Sequence, residues 1–415
     1  MKRGKIEKSL MQAMAEFEII DAHEHLGPER DRLAVAVDVF TLFSHYSRGD
    51  LAVAGMSAEV YQSLSDQDIP IEQRWAIFAP YWQQIRWGSY ARAALLAAQR
   101  FYGFEDINDE TYAPLSEAMR AANKPGIYER VLGEACKIRT ALTQPLTPVP
   151  PVDLGTPRLT SVMRDPLMSP METYEDIFHP AIEPDATVNS LDDLLDVKRR
   201  FVARVKAEGA VGLKMMCYPC ESPSRKEALE VFTRMRGGGM TLPVPNPLRE
   251  YVTNEIIEFA GQQGLVIAVH AGYWGDFRKL TPTNLIPLLL RYPKIRFDLY
   301  HLGYPYVREA LMIGKGFPNA WLNLCWTHII SQRFATDAVD EAIDLIPMNK
   351  LLAFGGDYAL PVEKVYGHLV MARENIARVL AGRIARGQMT ETQALDLAHR
   401  WFWDNPKELY GLSLS

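Results

Sequence analysis

The chain has 415 residues, and its content of 48% hydrophobic and 23% charged residues is that of an ordinary globular protein. The formal net charge of −6 and the lack of a basic cluster argue against a nucleic-acid partner. No apolar run approaches the roughly 20 residues that a membrane span requires, and the four cysteines are sparse, so we expect a cytoplasmic protein with no membrane partner.

The first predicted strand begins at Ile19 and carries two histidines near its end. Alternate side chains of a strand share one face, so His23 and His25 project together, whereas Glu24 between them faces the opposite side. Two imidazoles on one face, close to carboxylates, can hold a divalent cation. The pair alone is also compatible with a polar strand end that carries two surface histidines.

A helical stretch rich in aromatic residues follows the first strand. Its alanine-rich run from Ser89 to Ala98 has high helix propensity, and prolines divide the stretch into several short helices. We predict an all-helical insertion over residues 31–135, between the two parts of a barrel domain at 1–30 and 136–415. His45 and Arg48, early in the insertion, could cap a site, and loop packing explains them equally well.

Apolar runs alternate with helices through the rest of the chain. One helix is predicted to begin after Ser190, its N-cap, and to end at Gly209. Further strands are predicted at 136–142, 158–163, 210–217, 265–269, 295–300, 321–326 and 351–354. Continuous apolar strands between helices indicate a parallel sheet covered on both faces, and eight of them fit a (β/α)8 TIM-like barrel of the α/β class. The segment 362–410 is predicted to be helical and to pack outside the barrel.

Polar residues stand at the ends of the predicted strands. Lys214 ends the fourth strand, His270 the fifth, His301 the sixth and Asp357 the eighth. The carboxyl ends of the strands form one face of an α/β barrel, and this face carries the active site. We therefore expect these residues to converge with the two histidines of the first strand. Any one of them has a structural alternative, since His270 alone could be a hydrogen-bonded core histidine.

The motifs at these strand ends resemble those of the amidohydrolase superfamily, and more closely its amidohydrolase-related branch. The residues that carry the resemblance are Asp21-Ala22-His23-Glu24-His25, Lys214, His270-Ala271-Gly272, His301-Leu302-Gly303-Tyr304-Pro305, Phe354-Gly355-Gly356-Asp357-Tyr358 and Asn405-Pro406-Lys407-Glu408-Leu409-Tyr410-Gly411. The resemblance covers the first 26 residues and most of the chain after residue 210. The position of the helical insertion is similar to that in uronate isomerases of the same superfamily.

The resemblance implies a divalent metal, zinc or manganese, that is held by His23, His25, His270 and Asp357. It implies that His301 is either a ligand of a second metal or, in one-metal members, a proton donor. Asp357 would also take the proton of the attacking water. This dual role is chemically sound, because a metal lowers the pKa of water towards neutrality and a neighbouring carboxylate can accept the proton.

The chemical state of Lys214 bears on whether the site holds one metal ion or two. In two-metal members of the superfamily, the lysine of the fourth strand is carbamylated and bridges both ions. A free ammonium group has no lone pair and repels a cation, so Lys214 is a ligand only if it is carbamylated. The alternative is a lysine that pairs with a carboxylate of the substrate. We expect one essential metal, with a second ion as the alternative.

The loops that follow barrel strands are where substrate contacts belong. We select six candidate substrate-binding residues from these loops and from the insertion. They are Tyr273, Trp274, Arg278, Tyr304, His328 and Arg48.

A complete ligand set favours a metal-dependent hydrolase that acts on a small-molecule amide, lactone or ester. The alternative keeps the site and changes the reaction to that of a uronate-type isomerase or a non-oxidative decarboxylase, and the insertion favours the isomerase. A non-catalytic binding scaffold is a third class, but a decayed site should have lost at least one ligand. The family is compatible with a homo-oligomer, although no sequence pattern selects one.

Overall fold

The computed structural model describes residues 3–147, 151–169 and 171–414. Eight parallel strands lie side by side in chain order and nearly close into a barrel. They are β1 (Ile19–Glu24), β2 (Ile138–Thr143), β3 (Leu159–Met163), β4 (Gly212–Met216), β5 (Val266–His270), β6 (Phe297–Tyr300), β7 (Ala320–Asn323) and β8 (Leu351–Leu352). The predicted (β/α)8 fold is confirmed, and each strand lies within two or three residues of its predicted start.

The barrel is surrounded by helices that connect or flank the strands. One of them, α1 (Arg3–Ala15), precedes β1. The others come after β2 in the chain and are α8 (Tyr174–Phe178), α9 (Leu191–Ala207), α10 (Arg225–Met235), α11 (Pro247–Gln262), α12 (Ile286–Arg291), α13 (Val307–Gly316), α14 (Thr327–Ile330), α15 (Gln332–Leu345), α16 (Glu363–Ala385), α17 (Glu391–His399) and α18 (Asn405–Tyr410). Within the described ranges, none of the helices combines the length and apolar character needed to cross a membrane.

The chain between β1 and β2 is helical and has an apolar core of its own. Its helices are α2 (Glu29–Leu33), α3 (Ser47–Val53), α4 (Ala58–Ser63), α5 (Ile71–Ile85), α6 (Ser89–Tyr102) and α7 (Tyr112–Ala122), with a π-helical turn at Glu129–Ala135. Phe78 and Trp82 lie in this second core, which is separate from the main core around the barrel. A buried ion pair from Arg32 to Glu363, with 2.8 Å between Nη2 and Oε1, connects the region to α16.

The seam between the last and first strands is closed by main-chain hydrogen bonds beyond the end of β8. Ala22 N donates to Phe354 O at 2.9 Å, and Asp357 N donates to His23 O at 2.9 Å. These bonds bring the loop after β8 directly against β1. The seam therefore fixes Asp357 beside the two histidines of the first strand.

The C-terminal helices occupy two different environments. α16 packs outside the barrel against α1 and α6. The last turn does not follow the prediction, because Leu409 and Tyr410 join the apolar cluster formed by inward-facing strand residues such as Ile20 and Val266. The Tyr410 hydroxyl donates to Asp298 Oδ2 at 2.7 Å, inside the barrel. The expectation that the whole segment packs outside is therefore wrong for α18.

Ser190 caps α9, as the sequence predicts. Its side chain accepts a hydrogen bond from Asp193 N at 3.0 Å, and Ser190 N donates to Asp193 Oδ2 at 2.8 Å. We expect Ser190→Ala to lower the free energy of unfolding by about 1 kcal/mol, because the Asp193 amide in the first turn of the helix loses its acceptor. Denaturant titration of both proteins measures the change. Asn189→Ala, at the exposed preceding residue, should leave stability unaltered, and an equal loss in both variants would contradict the capping role.

Candidate metal centre

The ends of β1 and β6 and the loop after β8 bring four polar side chains into contact. His23 Nε2 lies 3.1 Å from Asp357 Oδ1, and His25 Nε2 lies 3.2 Å from the same oxygen. His301 Nδ1 lies 3.8 Å from Asp357 Oδ2. The convergence that the strand ends predict is therefore present in the fold. The centre is closed off from solvent, since His23, His301 and Asp357 are at most 1% exposed.

Distance alone selects one set of possible metal ligands among the described residues. His23, His301 and Asp357 each offer an atom within 4.8 Å of the others. This set shares two members with the ligands that the sequence predicts, and it has His301 in place of His25 and His270. The hydrogen bonds of the four rings distinguish between these choices.

The ring of His25 is oriented by the main chain after β2. Its Nδ1 lies 2.7 Å from the carbonyl oxygen of Gln144, which can only accept, so Nδ1 carries the proton. In the neutral ring, Nε2 then has a free lone pair. This lone pair faces Asp357 Oδ1, which is the direction a shared metal ion would occupy.

His301 and His270 form a hydrogen-bonded relay. His301 Nδ1 lies 3.0 Å from the carbonyl oxygen of Cys325, so this nitrogen donates. His301 Nε2 must then accept from His270 Nδ1, at 3.0 Å. The free lone pair therefore belongs to His270 Nε2, which is buried and has no hydrogen-bond partner in the described chain. In this arrangement His301 orients His270, while both of its own nitrogens are engaged.

Several buried polar atoms at the centre have no partner among the residues that the structure describes. They include Nε2 of His23, Nε2 of His270 and Oδ1 of Asp357. Leaving buried polar atoms unpaired costs free energy, and native proteins rarely accept that cost without a reason. Imidazole nitrogens and a carboxylate oxygen are ligands that suit zinc and manganese. The donor set therefore fits a divalent metal ion.

Burial and neighbouring charges set the protonation of these groups. Burial lowers the pKa of His23 and His270 well below the usual value, so both rings are neutral near pH 7 and can act as ligands. Burial raises the pKa of Asp357, but the adjacent His23 and His25 outweigh it and hold the pKa well below the usual range. Asp357 is therefore an ionised carboxylate.

Lys214 lies beneath the centre rather than among the four contacting side chains. Its Nζ is 3.9 Å from the ring centroid of Tyr300, and the ring of His23 packs against Tyr300 at a tilt, with centroids 4.3 Å apart. Burial lowers the pKa of Lys214 to about 8, although the charge of Asp357 opposes this. A neutral amine is thus accessible near physiological pH, and only the neutral amine can react to form a carbamate.

The helical region between β1 and β2 contributes two side chains that face the centre. The ring of His45 lies 6.0 Å from that of His25, and its buried Nδ1 has no partner in the described part of the chain. Tyr46 stacks on Trp326 with centroids 4.5 Å apart. Burial, and then the charge of Asp357 beside its hydroxyl, raise the pKa of Tyr46 well above its usual value.

The sequence allows two interpretations of His45, and no sequence pattern indicates a role for Tyr46. The only signal for Tyr46 is its position next to His45. Cys325 was also missed, although its Sγ lies 3.3 Å from His301 Nδ1. No motif at the end of β7 marks this cysteine.

Tyr273 and Trp274 are the substrate-binding candidates closest to the centre. Both follow β5 and are about half exposed, at 48% and 55%. Tyr273 lies 5.8 Å from Trp326, and Trp274 lies 6.2 Å from His270, between ring centroids. These positions place both rings at the opening of the site.

The other four candidates lie in different surroundings. Arg278 is exposed and pairs with Asp276, Tyr304 packs edge-on against Phe334, and Arg48 is exposed above the ring of Tyr61.

His328 is fully buried away from the opening. Its Nε2 lies 2.9 Å from the carbonyl oxygen of Ala353, and its Nδ1 lies 3.2 Å from Asn375 Nδ2. Trp326 adopts a left-handed conformation, with φ of 60°, immediately before the short helix α14 that contains His328. Both ring nitrogens are therefore used in packing the helix against the barrel.

Comparison with known proteins identifies relatives that match different shares of the chain. A family model described as amidohydrolase matches residues 185–412. The chain is 28% identical over 136 residues to the protein fluG of Emericella nidulans, and the match covers 32% of this chain but only 16% of fluG.

Solved structures share the fold over almost the whole chain. A uronate isomerase from Thermotoga maritima has a TM-score of 0.81 at 16% identity, and the match covers 98% of this chain and 97% of that one. A glucuronate isomerase from Caulobacter crescentus has a TM-score of 0.79 at 18% identity, covering 100% and 95%. A Lactobacillus casei protein whose proposed activity is metal-dependent hydrolysis has a TM-score of 0.65 at 19% identity, covering 97% of both chains. At these identities the likeness shows a common fold, which extends through the helical region after β1.

Proposed function

Because the chain belongs to the amidohydrolase family and is an amidohydrolase-type enzyme, we propose that it hydrolyses a small-molecule amide, lactone or ester with a divalent metal ion. The observation that carries the proposal is that Nε2 of His23 and Nε2 of His25 lie 3.1 Å and 3.2 Å from Asp357 Oδ1. In addition, Nε2 of His23, Nε2 of His270 and Oδ1 of Asp357 are buried without a hydrogen-bond partner among the described residues. We propose zinc, with manganese as the alternative. When bound, the metal would polarise the substrate carbonyl and lower the pKa of the attacking water.

The proposed ligands are His23, His25, His270 and Asp357. His25 and His270 present Nε2 because Gln144 O and His301 each fix the opposite nitrogen. These two hydrogen bonds hold the rings of His25 and His270 in the tautomer that leaves Nε2 free to bind a metal.

The proposed proton acceptor is Asp357, which is ionised and faces the ligand nitrogens. One of its oxygens contacts His23 and His25, and the other lies 3.8 Å from His301 Nδ1. A carboxylate in this position can take a proton from water and pass it to a leaving group. Burial of the centre excludes bulk water and strengthens these electrostatic interactions.

Lys214→Ala tests how many ions the centre holds. With one essential metal, we expect the variant to retain the metal content of the parent protein, because Lys214 lies over Tyr300 and outside the contacting side chains. Plasma mass spectrometry on both purified proteins gives the stoichiometry. A fall from two equivalents to one would instead identify a carbamylated Lys214 that bridges two ions.

A second candidate function uses the same centre for a uronate-type isomerase or a non-oxidative decarboxylase. The observation that favours it is the entry of His45 and Tyr46 from the helical region. Burial lowers the pKa of His45 to about 4, so its ring is neutral at pH 7, and its unpartnered Nδ1 could accept a hydrogen bond from a hydroxyl group of the substrate.

A substrate panel separates the two candidates. Purified protein loaded with zinc or manganese would be assayed against lactones and N-acyl compounds on one side and free uronates and hydroxy-carboxylates on the other. Turnover of the first group supports the hydrolase. Turnover confined to the second group would replace it with the isomerase or decarboxylase, and His45→Ala should then abolish that activity.

A further inference from the structure

The main chain around Asp357 is held in an unusual conformation. Asp357 has a φ of 64°, in the left-handed region that few residues other than glycine adopt. Two glycines, Gly355 and Gly356, precede it. A side chain in this conformation keeps its direction only if the surrounding hydrogen bonds fix the backbone on both sides.

Two carboxyl groups of β1 supply those hydrogen bonds. Gly356 N lies 3.3 Å from both carboxyl oxygens of Asp21, and Tyr358 N donates to Glu24 Oε2 at 2.6 Å. The amides immediately before and after Asp357 are thus each held by a side chain of the first strand. Asp21 Oδ1 also accepts from His23 N at 3.1 Å, so it contacts the main chain of a second proposed ligand.

The close approach of Glu24 depends on the glycine at position 356. A Cβ at Gly356 would overlap Glu24 Oε1 and lie 3.4 Å from Asp21 Oδ2. Both carboxyl groups therefore pack directly against the backbone of the loop after β8. No larger residue at position 356 would permit this arrangement without displacing either the Glu24 side chain or the loop.

The two acids are buried without a compensating cation. Asp21 and Glu24 are both 0% exposed, and within the described ranges neither forms an ion pair with lysine or arginine. Burial of carboxyl groups is costly, and apolar side chains of similar size often give equal or greater stability. The cost of burying two acids is offset here by the hydrogen bonds that they accept from the amides on either side of Asp357.

We propose that Asp21 and Glu24 are positioning residues that clamp the backbone on both sides of Asp357 and so aim its carboxylate at the metal. The proposal rests on the proposed function, because it assigns Asp357 to the metal. Glu24 faces away from the ligand histidines on β1, so it acts through the loop and contacts neither metal nor substrate.

Zinc affinity of two Glu24 variants tests the clamp. Glu24→Met removes the acceptor for Tyr358 N at similar volume, and we expect zinc to bind about 10- to 100-fold more weakly, as is usual when a partner of a metal ligand is lost. Glu24→Gln keeps an oxygen for the amide and should retain most of the affinity. Calorimetric titration with zinc alone measures the zinc affinity of the parent and of both variants, at a temperature below the melting point of each.

Asp38→Asn is the control for general loosening. Asp38 is a buried carboxylate in the helical region, where it accepts from Phe40 N and pairs with Arg74. This variant should melt at a lower temperature and bind zinc like the parent. An equal loss of zinc affinity in Asp38→Asn and Glu24→Met would overturn the clamp.

Hydrogen exchange on metal-free protein tests the clamp independently of whether the protein binds a metal. In Glu24→Met, the amide of Tyr358 should exchange at least about tenfold faster than in the parent, because it has lost its acceptor. If the parent binds no zinc, the proposed function fails while this measurement still tests the clamp. The clamp is refuted if, in Glu24→Met, both the exchange rate of the Tyr358 amide and the zinc affinity lie within about twofold of the parent values.

Discussion

Asp357→Ala is expected to abolish turnover, by about four orders of magnitude or more, while the protein remains folded. The carboxylate contacts His23, His25 and His301, so its loss removes both a proposed ligand and the proposed proton acceptor. Folding should survive because Asp357 forms no ion pair with lysine or arginine in the part of the chain that the structure describes. Steady-state kinetics and circular dichroism measure the two properties.

His23→Ala should reproduce this loss through the metal, since neither ring nitrogen of His23 forms a hydrogen bond within the described residues. Asp196→Ala removes an exposed carboxylate on α9 and serves as the matched control with full activity expected. Activity retained in either Asp357→Ala or His23→Ala would remove that residue from the catalytic centre.

Arg32→Met is expected to lower the free energy of unfolding by about 3–5 kcal/mol, the usual effect of breaking a buried ion pair. Arg32 and Glu363 have side chains only 1% exposed, and Arg32 also donates to Asn123. Removal of the guanidinium leaves Glu363 buried with the Tyr102 hydroxyl as a neutral partner. The variant should also weaken the docking of the helical region that carries His45 and Tyr46.

Two further variants identify the cause of this loss. Arg32→Met combined with Glu363→Leu should recover part of the stability, because no uncompensated charge remains. Arg333→Met breaks the exposed pair with Asp337 on α15 and should leave the denaturation midpoint unchanged. A double variant that is no more stable than Arg32→Met would show that packing, rather than the buried charge, causes the loss.

The sequence predicts the barrel and most of its polar centre for one physical reason. Parallel strands end on the same face, so residues at the ends of separate strands must meet. This logic places His23, Asp357 and His301 together without any knowledge of their loops. It also predicts the opposite direction of Glu24, which follows from the alternation of side chains along a strand.

The same logic does not reach residues whose positions depend on irregular backbone. His328 follows the seventh strand, but a left-handed residue before α14 turns its ring into the core. Tyr46 enters the site because the helices after β1 fold back over the barrel, and hydrophobic periodicity does not specify that path. The roles of Asp21 and Glu24 depend on the seam between the loop after β8 and β1, which only the folded chain shows.

The metal content of the purified protein tests the central claim most directly. Plasma mass spectrometry would be applied to protein purified without added metal and then after incubation with zinc or manganese. We expect one tightly held equivalent in the parent protein and almost none in His23→Ala. No bound metal in the parent, even after incubation, would contradict the assignment of His23, His25, His270 and Asp357 as a metal centre.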